Sequence, residues 1–243
     1  IGSIFATERT FGEQTISVEG RIQLKNQPQI NFGTRLSSNA AAFILAAFYS
    51  GYPLSVLYGS GFSMDIENVE LNIKTVDRRL TGAITRIEVD RTEVKRGETL
   101  NLQITARNDR GQALVQTVPV TIPATAPLGR LNITVGDGGV MANLERRNAV
   151  YLNPTNLTTI VESINNLPKT DHLYVKLYYN DNGVVVSNQQ LPSLPPSMLA
   201  TLDSARSTTD YLSLPIATVL DQEIPLNQFL TYGQQTITVK VIN

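Results

Sequence analysis

The sequence predicts a mainly β fold with a few helices (α+β), in which an immunoglobulin-like β-sandwich block is flanked by mixed α/β segments. Three observations carry this expectation. First, residues 84–138 read as strand, turn, strand, strand, turn, strand: Leu100, Leu102, Ile104 and Ala106 alternate with Thr99, Asn101, Gln103 and Thr105, the period of a half-buried strand. Second, the alternation recurs at Val118, Val120 and Ile122 and again at Leu131, Ile133 and Val135. Gly and Pro punctuate it, in Lys95-Arg96-Gly97-Glu98 and Pro127-Leu128-Gly129, as in sandwich domains. Third, only 17% of the 243 residues are charged. The many Thr, Asn, Gln and Ser that replace charge suit the solvent faces of strands.

The length allows one large domain or two ordinary ones. The pattern divides it into three regions: a strand–helix–strand region over 1–81, the β block over 82–138, and an α+β region over 139–243. In the first, Ile16, Val18, Gly20, Ile22 and Leu24 face one way, and Thr15, Ser17, Glu19, Arg21 and Gln23 the other. Ser38-Asn39 offers an N-cap for a helix over 40–49. Met64 and Ile66, then Val69, Leu71 and Ile73, form a strand whose phase slips at Glu67-Asn68, the mark of a β-bulge. The central block holds four clear strands, whereas an immunoglobulin domain needs about seven. It is therefore expected to borrow strands from its neighbours.

Beyond Gly138-Gly139 the period changes. Asn153 and Pro154 open a helix that buries Leu157, Ile160, Val161, Ile164 and Leu167, and Pro168 ends it. A strand over 173–179 meets Asn180-Asp181-Asn182-Gly183, a hairpin turn by composition, and Val184-Val185-Val186 returns. The Pro-rich 192–196 stretch leads to a short helix around Met198, Leu199 and Leu202. Strands over 211–220 and 235–241 close the chain.

Several function classes are excluded or disfavoured. Lys plus Arg number 20 and Asp plus Glu 21, for a net charge of −1, so the chain lacks the basic footprint of a nucleic-acid binder. No cysteine is present, which removes disulfides, thiolate metal sites and a Cys nucleophile. The apolar stretch over 40–57 is interrupted by Ser50-Gly51-Tyr52-Pro53 and falls short of the roughly 20 residues of a membrane span; it reads as a short helix buried on all sides. The chain opens on Ile1 without a signal-peptide pattern, which points to a processed or truncated piece of a longer protein.

His172 is the single histidine, so a Ser-His-Asp triad must use it. Yet it opens a polar strand face, and Asp171 points to the opposite side. Tyr58-Gly59-Ser60-Gly61 lacks the glycine that a nucleophile elbow needs two residues before its serine. Asp65 and Glu67 share a strand face as ordinary surface acids. No Ca2+ loop or phosphate-binding loop has the required spacing, and no cofactor or metal is expected. Asn132-Ile133-Thr134 and Asn156-Leu157-Thr158 are formal glycosylation sequons, although Ile133 reads as a core residue. One feature points to binding. Leu173, Val175 and Leu177 turn inward, so His172, Tyr174, Lys176 and Tyr178 share the other face, two tyrosines beside a cation in the style of a partner-binding surface.

Four phrases, taken in order, carry a resemblance. They are Ser17-Val18-Glu19-Gly20-Arg21-Ile22; Ile87-Glu88-Val89-Asp90-Arg91-Thr92-Glu93-Val94 with Arg96-Gly97-Glu98-Thr99; Val120-Thr121-Ile122-Pro123-Ala124-Thr125-Ala126-Pro127-Leu128-Gly129; and Leu191-Pro192-Ser193-Leu194-Pro195-Pro196-Ser197. Over roughly residues 12–205 this resembles the region after the peptidase domain in long bacterial proteins of the SpoIVB serine peptidase family. The family's endopeptidase activity rests on a Ser and a His of the peptidase domain, and no segment here matches that motif. The resemblance thus implies a non-catalytic C-terminal region of a secreted, periplasmic or envelope-associated protein, with protein as its partner. Two other readings stay open: an independent extracellular module binding glycan or protein, and a hydrolase built around His172.

Overall fold

The computed structural model describes residues 13–38, 42–147, 156–169, 172–186, 189–191, 193–204, 211–225 and 230–243. Among the described residues, four helices and three β-sheets make a mixed α+β fold. The first sheet comprises β1 (Gln14–Leu24), β2 (Ile30–Ser38) and β3 (Ile66–Val76) in the order β2-β1-β3, all antiparallel. The expected alternation of β1 holds: Ile16, Val18, Ile22 and Leu24 are buried, and Glu19 and Arg21 are exposed. Register along β1 and β3 slips between Gln23 and Leu24, which pair with Asn68 and Ile66. The bulge therefore falls on Glu67, where the hydrophobic phase breaks.

Helix α1 (Ala42–Gly59) covers this sheet and corrects two expectations. It runs straight through Pro53, although an internal proline forfeits a hydrogen bond and costs about 3 kcal/mol. Packing on both sides of the proline offsets that loss: Ala46 joins Ile16 and Val18, while Leu57 joins Ile22, Leu24 and Ile30. Nor is the helix buried all round. Ala46, Ser50, Pro53 and Leu57 form one buried stripe, and Tyr52, Ser55 and Tyr58 are exposed. No helix among the described residues is long and apolar enough to cross a bilayer. The cap expected at Ser38-Asn39 lies outside the described residues. Gly59-Ser60-Gly61 is a helix stop, with the Ser60 hydroxyl donating to the Leu57 carbonyl at 2.6 Å and Gly61 at φ +75°.

Strands β4 (Thr81–Val89), β5 (Glu93–Lys95), β6 (Thr99–Asn108), β7 (Ala113–Thr121) and β8 (Gly129–Asp137) follow. Helix α2 (Gly138–Arg147), helix α3 (Leu157–Asn165), β9 (His172–Val186), β10 (Gln189–Leu191), helix α4 (Pro196–Leu202), β11 (Tyr211–Pro225), β12 (Leu230–Tyr232) and β13 (Gln234–Ile242) complete the chain. The second sheet has the order β12-β4-β6-β7. The third runs β10-β9-β8-β13-β5, with β11 on the other side of β9. The central block thus does take strands from its neighbours: β9 and β13 flank β8, and β13 pairs with β5 in parallel.

The second and third sheets face each other across one core. Leu100, Leu102, Ile104, Val118 and Val120 come from one side, and Leu131, Ile133, Val135, Val175, Leu177 and Val239 from the other. Each such side chain, fully removed from water, contributes about 1.5–3 kcal/mol. Ile133 has no exposed surface, as its place in the alternation of Leu131, Ile133 and Val135 predicts.

Two local expectations in the C-terminal region are corrected, and one helix is added. Asn180-Asp181-Asn182-Gly183 is no hairpin turn. β9 continues for 15 residues, and β11 pairs along it from Tyr211 to Pro225, with a register shift between Leu214 and Ile216. A 15-residue partner strand makes more ladder bonds than a two-residue turn can offer, so the turn chemistry is absorbed as a bulge. Helix α3 is capped by Asn156, whose Oδ1 accepts from the Thr159 N–H at 2.9 Å; Asn153 and Pro154 lie outside the described residues. The added helix, α2, starts directly on Gly138-Gly139. The Asp137 carboxylate caps it by accepting from the Val140 N–H at 3.0 Å, and its other oxygen accepts from the Gly233 N–H at 2.8 Å. Glycine is required at 138, because a Cβ there would lie 2.3 Å from the Lys169 carbonyl oxygen.

Candidate functional site

Strand β9 distributes its side chains as the alternation requires. Leu173, Val175 and Leu177 enter the core, while His172, Tyr174, Lys176 and Tyr178 share the opposite face. That face is not open along its length: Tyr174 is 8% and Lys176 5% exposed, and His172 and Tyr178 are half-buried. Two causes act together. Helix α2 packs against β8 and β9, admitted by Gly136, where a Cβ would stand 2.7 Å from Val140 Cγ1. Cross-strand polar pairs then seal the row. Lys176 Nζ lies 2.9 Å from Asp221 Oδ2, its register partner on β11. Thr134, fully buried on β8, bonds Thr236 of β13 at 2.7 Å and donates to the Tyr178 hydroxyl at 3.4 Å. The Tyr174 hydroxyl accepts from the Lys169 N–H at 2.6 Å.

The His172 end opens into a cleft of about 500 Å³, whose walls include Arg21, Asn31, Glu70, Asn72 and Lys169. Here His172 Nε2 lies 3.1 Å from Glu223 Oε1, and Lys169 Nζ lies 3.4 Å from the same oxygen. A histidine–carboxylate pair can hold or pass a proton. None of the described residues lining this cleft carries a hydroxyl or thiol to act as a nucleophile. Asp171, the other neighbour weighed for His172, lies outside the described residues. Asp65 and Glu67 are both exposed, one just before and one just after Ile66, the first residue of β3. No group of three or more His, Asp and Glu among the described residues is placed to hold a metal ion.

A second cleft, of about 350 Å³, lies on the helix side of β2. It is more apolar, lined by Phe32, Tyr52, Pro53, Ala142, Ile164 and Leu167. The two clefts share Asn31, Phe32, Gly33 and Lys169, so β2 and the segment after α3 stand between them.

Sequence reasoning found His172 and the face it heads, but not Lys169, Asp221 or Glu223. A signal for the two acids was present. Asp221 and Glu223 sit two apart in a strand, as Tyr174 and Lys176 do, and antiparallel pairing sets Asp221 against Lys176 and Glu223 against Tyr174. Compared with protein-family models, with curated proteins and with solved structures, the chain matches none.

Proposed function

We propose that this chain is a non-catalytic accessory region that binds protein, belonging to a secreted or envelope-associated protein of the SpoIVB-peptidase kind. The observation that carries the proposal is the use made of the reactive side chains. Lys176 with Asp221, His172 and Lys169 with Glu223, and Tyr174 with the Lys169 backbone all tie strand to strand or strand to loop. Groups so engaged hold a scaffold in register. The two facing sheets are, in this reading, an immunoglobulin-like sandwich: residues 81–95 begin on β4 in one sheet and end on β5 in the other, joining the layers at a corner. Such modules commonly space and bind, although fold analogy alone does not assign a function.

Crosslinking in source cells, followed by blotting of fractionated envelope, cytosol and medium, tests the proposal. The expected result is a polypeptide larger than 26.6 kDa in the envelope or medium, crosslinked to another protein. A fragment-sized species confined to the cytosol and free of crosslinks would sink it. The alternative of a free-standing glycan-binding module draws on the polar lining of the 500 Å³ cleft, where Asn31 and Asn72 stand beside Arg21 and Glu70. Reproducible sugar binding on a glycan array, lost in Asn72→Ala, would favour it.

A further inference from the structure

Strands β8 and β9 pair from Asn132 opposite Tyr178 to Asp137 opposite Leu173, yet β8 itself starts at Gly129. Residues 129–131 therefore lie beyond the ladder with β9. At this end of the third sheet is a third cleft, of about 570 Å³, a size within the roughly 300–1,000 Å³ of small-ligand sites. Arg130 and Asn132 of β8, Tyr179 and Asn180 of β9 and Thr238 of β13 line it, beside the turn at Pro127-Leu128. It is open to solvent: Arg130, Asn180 and Thr238 are exposed, and Leu128 is 50% exposed. It shares no lining residue with the two clefts beside β2.

The polar groups of this cleft are not used to hold the fold. Among its described lining residues Arg130 alone is charged. Glu93 lies on the same cross-strand row, but Lys240, the register partner of both Glu93 and Arg130, takes it at 3.0 Å. No hydrogen bond or ion pair among the described residues engages the Arg130 or Asn180 side chain. The Thr238 hydroxyl donates to Asn132 Oδ1 at 2.9 Å, which orients that amide and leaves its Nδ2 hydrogens to give. The free donors are thus a guanidinium and two amides, and the free acceptors are Asn180 Oδ1 and the Thr238 oxygen. Donors grouped around one cation suit a carboxylate, whereas donors and acceptors together suit hydroxyls. Pro127, Leu128 and Tyr179 add an apolar wall. The Tyr179 hydroxyl is 3.4 Å from Ser193 Oγ, which donates to Asp181 Oδ1 at 3.1 Å, and this chain holds the ring in place.

We infer that this cleft binds a uronic acid residue of an acidic polysaccharide, with Arg130 pairing the carboxylate, Asn132 and Asn180 bonding ring hydroxyls, and Tyr179 standing beside the apolar C–H face of the sugar. An acidic peptide would satisfy Arg130 but brings no row of hydroxyls. Nor can it pair as a strand: only three residues of β8 extend past β9, against the five or six of an ordinary strand. The inference is independent of the protein-binding reading and places a second kind of ligand at a separate site.

The test is titration calorimetry of the purified chain with tetramers of galacturonate, mannuronate and glucuronate, with NMR of the side-chain amides. At least one tetramer is expected to bind and to shift the Asn132 and Asn180 amide signals. Its methyl ester binds about tenfold or more weakly, and the free acid loses the same factor on Arg130→Gln, as expected for one charge-assisted pair. Asn72→Ala, in the cleft beside His172, leaves the affinity unchanged, which separates this site from the glycan reading of that cleft. Should Arg130→Gln fail to fold, Asn180→Ala at another exposed position and the methyl ester on the parent chain decide the matter. Absence of binding by all three tetramers, binding indifferent to the ester or to both variants, or tighter binding of a hexaglutamate peptide overturns the inference. None of these outcomes touches the crosslinking result, so the protein-binding reading stands or falls separately.

Discussion

Asp137 joins three elements through one carboxylate, and its removal is the most informative single perturbation of this fold. One oxygen caps α2 at the Val140 N–H, and the other accepts from the Gly233 N–H between β12 and β13. The helix it caps begins with Gly138-Gly139, residues that each lower helix stability by about 1 kcal/mol relative to Ala. The cap is therefore needed more than usual. Loss of a cap costs about 0.5–2 kcal/mol, and loss of a hydrogen bond to a charged acceptor about 1.5–3 kcal/mol. Because the carboxylate is only partly buried, the lower half of that sum applies: about 2–3 kcal/mol for Asp137→Ala. Asp137→Asn keeps one acceptor but turns an amide donor toward a second N–H, for a loss of about 1–2 kcal/mol. In a chain of this size the alanine variant lowers Tm by about 4–12 °C. Calorimetry with amide exchange reads both parts, since the Val140 and Gly233 amides are expected to exchange faster together. A loss under about 0.5 kcal/mol, or a loss that leaves those two amides unchanged, refutes the reasoning.

Three further outcomes are expected. Asp221→Asn leaves the buried Lys176 ammonium facing an amide and costs about 1–3 kcal/mol, whereas Lys176→Met stays within about 1 kcal/mol of the parent; urea midpoints check the order, and the reverse order contradicts the assignment. Gly136→Ala drives a Cβ to 2.7 Å from Val140 Cγ1 and costs about 1–3 kcal/mol, of which the second substitution Val140→Ala is expected to restore part in a double-mutant cycle. For Asp90, burial acts to raise the pKa, but the Asn101 N–H, the Arg91 guanidinium and the Asn101 side chain together outweigh it and hold the carboxyl below its ordinary value. A depressed folded-state pKa contributes stability above the unfolded value, near 4, that is lost as pH falls through the folded one. Acid unfolding of Asp90→Ala should accordingly show a smaller drop in stability below about pH 4 than the parent; an unchanged acid limb excludes the contribution.

What was legible in the sequence was whatever repeats locally. Strands β1, β6 and β8 announce themselves through strict alternation, and the bulge at Glu67 through a one-residue slip in it. The inward set Leu173, Val175 and Leu177 follows from the same rule. Strand β2 shows the alternation too, in Ile30, Phe32, Thr34 and Leu36 against Asn31, Gly33, Arg35 and Ser37, but its outer half is too polar to stand out. The errors lie where a distant partner overrides local chemistry. Asn180-Asp181-Asn182-Gly183 has the composition of a turn and is straightened by β11, more than 30 positions away. Helix α2 was missed altogether: it starts on Gly138-Gly139, where the Asp137 carboxylate caps it and the Lys169 backbone leaves no room for a side chain at 138.

The same distinction explains why the candidate site was only half visible. His172 and Lys176 could be placed on one face from alternation alone, but their exposure depends on Asp221, Glu223 and α2, which only strand pairing brings near. The seating of α3 on β2 is harder still, because it is made on the main chain. The Asn31 N–H and the Gln29 carbonyl are groups that nearly every residue carries; what distinguishes them is that one side chain, Asn165, bonds both. Helix α3 connects these observations. Its buried Ile160, Val161 and Ile164 seat it on the first sheet, which brings Asn165 to the edge and Leu167 to the rim of the apolar cleft. The helix that completes the hydrophobic core of the first sheet thereby also closes the start of the β2 edge.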